Sequence, residues 1–248
     1  MEGTLKAMII IMTMNMAMTT GGIIIMIDAQ TLLKLQTWFS PAFPIGAFSY
    51  SHGLEAAIEA GDVFDRSTLT KWLQDLLLLG SGRTEAAFFK TAHGLANYPV
   101  LAAAFASEAA AWSTTAELTL ESDMQGEAFL KTIASVWPRV EIINFQNELK
   151  IRPPLPVAAG FVAGVHDAPL EVALSLYMQA FIANIVSAGV RLVPLGQTDG
   201  QRTIASLEQS VADAVEGVDD IESLWTATPM LDVHSMKHET QYTRIFRS

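Results

Sequence analysis

The chain reads as all-α: a single compact multi-helix domain with an apolar helix buried at its centre. Three observations predict this. Apolar residues recur at three- and four-residue steps along almost the whole sequence. Strand-like alternation is scarce, and prolines and glycines fall between the helical stretches. Half of the 248 residues are hydrophobic and only 17% are charged, enough apolar surface for a substantial core.

The elements follow in order. Residues 1–27 are expected to form a disordered leader, and residues 28–248 the folded domain. The leader's apolar runs are broken by Asn15, Thr19, Thr20, Gly21 and Gly22, and Lys6 is offset by Glu2, so it lacks the basic head and unbroken run of an export signal. Leu32, Leu33 and Leu35 open a short helix that must end before Pro41. Leu54, Ala57 and Ile58 line the next, stopped near Gly61. Ser67 is the expected cap of a third helix through Leu69, Trp72, Leu73, Leu76 and Leu77, with Gly80 closing it. Helices over 83–95 and 100–112 are divided by Asn97, Tyr98 and Pro99, and a long one over 115–136 ends at Pro138. Another spans 140–150 before the turn at Pro153, Pro154 and Pro156.

From Pro156 to Val165 the residues are small, with Ala158, Ala159, Gly160, Ala163 and Gly164 allowing close helix approach. The central helix carries Leu170, Leu174, Tyr177, Phe181 and Ile185 on one stripe. Its segment from Val172 to Val190 is uncharged and long enough to span a bilayer. Ser175, Gln179, Asn184 and Ser187 are scattered around it, and no aromatic belt or basic flank accompanies it. A buried core helix in a non-membrane protein is therefore expected. Pro194 to Gln201 reads as a turn in which Gly200 supplies positive φ; an amphipathic helix over 204–215 and a tail after Pro229 complete the chain.

The formal charge of −11 and pI near 4.8 exclude a phosphate-neutralising surface, so no nucleic-acid partner is expected. The absence of cysteine rules out disulfides and thiolate metal sites, and fits a reducing, cytoplasmic setting. No phosphate-binding loop, nucleophile elbow or dinucleotide fingerprint is present, so neither an enzyme nor a cofactor is predicted.

Two dense segments stand out instead. The last twenty residues carry His234, Lys237, His238, Glu239, Tyr242, Arg244 and Arg247 beside Met236, Ile245 and Phe246. Aromatic and arginine side chains are enriched at binding hot spots, which marks this end as partner-binding. A segment over 40–55 places Phe48 and Tyr50 among prolines and glycines and is read the same way. His234 and His238, one helical turn apart, are the alternative: a nickel or zinc site on a carrier or enzyme, although two histidines alone are incomplete. His52 is expected to be exposed or at a helix start, unable to form a catalytic pair with its neighbour Ser51. Glu55 and Glu59 read as a solvated face. Arg83 and Glu85 fit an ion pair at a helix start or a partner contact equally well.

Four blocks carry a likeness to a known family. They are Ser40-Pro-Ala-Phe-Pro-Ile-Gly-Ala-Phe-Ser-Tyr-Ser-His-Gly-Leu-Glu55, Ser81-Gly-Arg-Thr-Glu85, Pro194-Leu-Gly-Gln-Thr-Asp-Gly-Gln201, and the tail Met236-Lys-His-Glu239 with Tyr242-Thr-Arg-Ile-Phe-Arg-Ser248. In order and spacing they resemble the urease accessory protein family UreF. The resemblance implies a helical, dimeric, non-enzymatic scaffold joining the accessory protein UreD (UreH) to the nickel-carrying GTPase UreG on urease apoprotein. It implies that the tail faces UreD and that Arg244 lies near the UreG-recruiting surface. Phe48 stands where some relatives carry tyrosine, so a polar Phe48–Arg244 link is not expected; a cation–π contact is the remaining option.

Overall fold

The punctuation read from prolines and glycines divides the chain much as expected. The computed structural model describes residues 15–20 and 23–248, with side chains from Ile27 onward. Eleven helices are found among them: α1 (Ala29–Trp38), α2 (Leu54–Glu59), α3 (Arg66–Leu79), α4 (Ser81–Gly94), α5 (Pro99–Ala110), α6 (Ala116–Val136), α7 (Val140–Glu148), α8 (Leu155–Val165), α9 (Leu170–Leu192), α10 (Gln197–Glu216) and α11 (Pro229–His238). The class is all-α. Within the expected leader, β1 (Asn15–Thr20) pairs antiparallel with β2 (Ile23–Asp28), and the other residues of that stretch lie outside the described ones.

Local chemistry explains the helix starts. Asp28 caps α1 by accepting from Gln30 and Thr31. Asp65, not Ser67, caps α3, in a reciprocal box with Thr68. The aspartate wins because its carboxylate reaches the third helical N–H, while Ser67 sits inside the first turn and donates back to Asp65. Thr115 caps α6. Pro99 begins α5 and Pro229 begins α11, where the missing N–H costs nothing.

The expected turn at 194–201 is a shorter one. α10 already begins at Gln197, and Gly200 lies inside it without positive φ. The glycine serves a close approach instead: a β-carbon there would lie 2.8 Å from a methyl of Val190 on α9.

The core sits where α4, α8 and α9 meet. Eight of the eleven residues of α8 are buried. Gly160 presses its α-carbon against the backbone of Phe89 on α4, so that any side chain at 160 would strike main-chain atoms. α9 packs against α2, α4, α8 and α10. It meets the length and composition of a membrane span, yet Val172, Leu174, Tyr177, Met178, Ile182, Ile185 and Val186 are buried within the domain.

Candidate functional site

The two segments singled out in the sequence come together. α11 lies on α2 and α6, and residues 239–248 continue across the start of α2 to end beneath the 40–50 loop. Gly53 permits the approach: its φ is +77°, and a β-carbon would lie 3.2 Å from the Ser235 backbone nitrogen.

Three carboxylates on α2 and α6 receive the tail. Glu55 is buried and accepts from the His238 ring (3.0 Å), the Ile245 N–H (2.8 Å) and the Phe246 N–H (3.0 Å). Glu117, in the first turn of α6, faces the other ring nitrogen of His238 at 2.7 Å and accepts from Arg244 at 2.8 Å. Glu121, one turn further, accepts from the Ser248 hydroxyl. The Ser248 carbonyl accepts from both the N–H and the hydroxyl of Ser51, and Arg247 donates its N–H to Ser49. Upstream, Ser235 bonds the capping Thr115 at 2.7 Å, and His234 meets Asp62 at 2.9 Å beside the Trp72 ring.

Each buried acid thus faces several donors, which offsets the cost of withdrawing its charge from water. Glu55 was expected on a solvated face; the structure corrects this, because the tail covers it. Exposed Glu59 keeps the solvated position.

Of the expected partner-binding residues, Phe48, Lys237, Glu239, Tyr242, Arg244 and Arg247 are exposed. Tyr242 is fully so, with Ile245 and Met236 alongside it in the exposed set. Tyr50, His234, His238 and Phe246 are buried and contact other parts of this chain. His234 and His238 do not converge on one point: the first faces Asp62, the second Glu55 and Glu117. Among the described residues no set of three or more histidine, cysteine or acidic side chains is arranged for a metal.

Phe48 does make a cation–π contact, but with Arg191 of α9. That guanidinium lies 3.8 Å from the Phe48 ring centre and 4.4 Å from that of Phe246, and donates to the Phe48 carbonyl. Arg191 therefore joins loop to tail. Nothing in its sequence surroundings points to it, since it is a single cation in the last turn of an apolar helix. Arg83 resolves inward, pairing with Asp219 and stacking at 4.1 Å on Trp225, and Glu85 accepts from the Tyr177 hydroxyl.

A cavity of 490 Å³ opens beside this seat, between the 39–48 loop, α9 and the start of α10. Gln197, Gly200 and Gln201 line it opposite Phe43, Ile45 and Phe48, so the first and third motif blocks share one surface.

Comparison with known proteins agrees with the motif blocks. The family model for UreF matches residues 63–208. A urease accessory protein UreF of Rhodopseudomonas palustris (strain BisB5) is 42% identical over 230 residues, covering 89% of this chain and 93% of that one. That of Azorhizobium caulinodans is 42% identical over 221 residues, covering 87% and 95%, and that of Methylobacterium radiotolerans is 41% identical over 225, covering 89% and 98%. With that identity across nearly the full length of both chains, the protein belongs to the UreF family of urease accessory proteins.

Proposed function

We propose that this protein is a cytoplasmic, homodimeric scaffold of urease maturation. It holds UreD (UreH), recruits the GTPase UreG and regulates its hydrolysis while nickel enters the urease apoprotein; it acts on neither a membrane nor nucleic acid and performs no chemistry in that role. Family membership supports the setting. The observation that carries the mechanism is the division within the tail: one face is locked to Glu55, Glu117 and Glu121, the other presents Met236, Tyr242 and Ile245 to solvent, and Arg244, bonded to Glu117 but still partly exposed, lies between them. Rigid aromatic area and a guanidinium held on an ordered support bind a partner at low entropic cost.

The test is a double variant, Tyr242→Ala with Ile245→Ser, which touches only exposed side chains. Pull-down of UreD is expected to fall at least tenfold with an unchanged melting temperature. UreD capture equal to wild type would remove the tail from that interface. Arg244→Ala is expected to weaken UreG recruitment more than UreD binding, and equal losses would contradict that division of labour.

The scaffold reading is preferred to a nickel or zinc site on His234 and His238 because the two rings face different carboxylates, Asp62 for the first and Glu55 with Glu117 for the second, and not a common point.

A further inference from the structure

A second cavity, of 180 Å³, lies between the start of α4, the first half of α6 and the segment 226–232. On its wall, His52 Nε2 is 2.8 Å from Ser81 Oγ, and His52 Nδ1 is 3.4 Å from Glu121 Oε1. The carboxylate can only accept, so it favours the tautomer with hydrogen on Nδ1. Nε2 is then free to accept from the Ser81 hydroxyl. Serine, imidazole and carboxylate in that order are the groups that activate an alcohol for attack. The serine that sequence could not supply next to His52 arrives from 29 residues further along, at the start of α4.

Two features set this apart from an ordinary buried network. His52 is held at φ 58°, a conformation uncommon outside glycine and concentrated at functional sites. Ser81 is only partly buried and opens α4, so neither its own N–H nor that of Gly82 has a partner within the helix. Phe88, Trp112, Leu118 and Leu155 form an apolar part of the remaining wall, where a small alkyl group fits, beside polar Thr84, Ser122 and Thr228.

The geometry points to Ser81 as a nucleophile toward small acyl esters, with His52 as its base and Glu121 as the residue that positions His52. In the step, Ser81 Oγ bonds the acyl carbon and the ester C–O bond breaks. The hydroxyl proton passes to His52 Nε2 and on to the departing alkoxide, leaving acyl-Ser81 and an alcohol. The scaffold role neither requires this nor forbids it.

The full-length protein treated with an alkyl fluorophosphonate, which loses fluoride as its phosphorus bonds the serine oxygen, tests the assignment by peptide mass spectrometry. One adduct per chain on Ser81 is expected, absent in Ser81→Ala and formed at least tenfold more slowly in His52→Gln. In wild type the labelling rate is expected to rise with pH as His52 loses its proton. Burial lowers the pKa of that ring, but Glu121, followed by Glu85 and Asp232, raises it more, so the midpoint lies above histidine's ordinary value. Wild-type protein without an adduct on Ser81, or labelling equally fast in His52→Gln, overturns the assignment. Should His52→Gln not fold, a flat wild-type pH profile does the same.

Discussion

The α4–α8 contact and the seat of the tail are both buried, yet opposite means hold them. In the first, Gly160 and small neighbours bring two backbones together, and the binding force is apolar area and close packing. In the second, the chain has no helix beyond His238, and its polar groups are met one by one by Glu55, Glu117 and Glu121. Packing is shared among many atoms, so damage spreads through the domain. Directional bonds concentrated on three carboxylates fail separately, so the tail can loosen while the body stays folded.

The sharpest break is expected at Gly160→Val. The new side chain meets the Phe89 main chain, which cannot rotate away, and about 3 kcal/mol or more of global stability should be lost in urea unfolding. A loss under about 1 kcal/mol would mean that the helices slide apart freely. Glu55→Ala should cost about 3 kcal/mol, but locally, because three donors lose their acceptor. Hydrogen exchange at the Ile245 and Phe246 amides should accelerate while α8 amides keep their protection. Uniform acceleration in both places would erase the distinction between the regions.

Glu85 gives a smaller effect through pH. Burial pushes its pKa from 4.5 to about 7, only partly opposed by the Tyr177 hydrogen bond. The folded state therefore holds a proton that the unfolded chain releases, and this contribution is full below about pH 4.5 and lost as pH rises to about 7. Allowing for partial solvation, it amounts to about 2 kcal/mol. Glu85→Gln should flatten the stability profile over that window, whereas an unaltered slope would clear Glu85 of the effect. Least of all, Phe48→Ala removes one face of the Arg191 sandwich. It should lower the melting temperature by about 2–4 °C, since such a contact is worth about 1 kcal/mol.

Much of the fold was legible because helices are local. The stripe from Leu170 to Ile185 marks the central helix, and the small residues at 158–164 mark a close helix approach, which the structure shows to be that of α8 to α4. Misreadings occurred where a neighbour in space decided the matter. Gly200 looked like a turn residue, but Val190 required its smallness. Glu55 looked solvated until residues 190 positions away bonded to it. The tail stands out in the sequence by its arginines and aromatics, yet of the ten residues expected to meet partners, Tyr50, His234, His238 and Phe246 are buried within this chain.

Sequence by itself determined the helical class, the order of elements, the acidic net charge and the motif blocks of the family, because each depends on residue type and short-range spacing. The tertiary structure alone decided which face of the tail is free, that Arg191 joins loop to tail, and that Ser81 meets His52. Those outcomes depend on which side chains become neighbours after the chain closes on itself, and no local pattern encodes a distance between residues far apart along it.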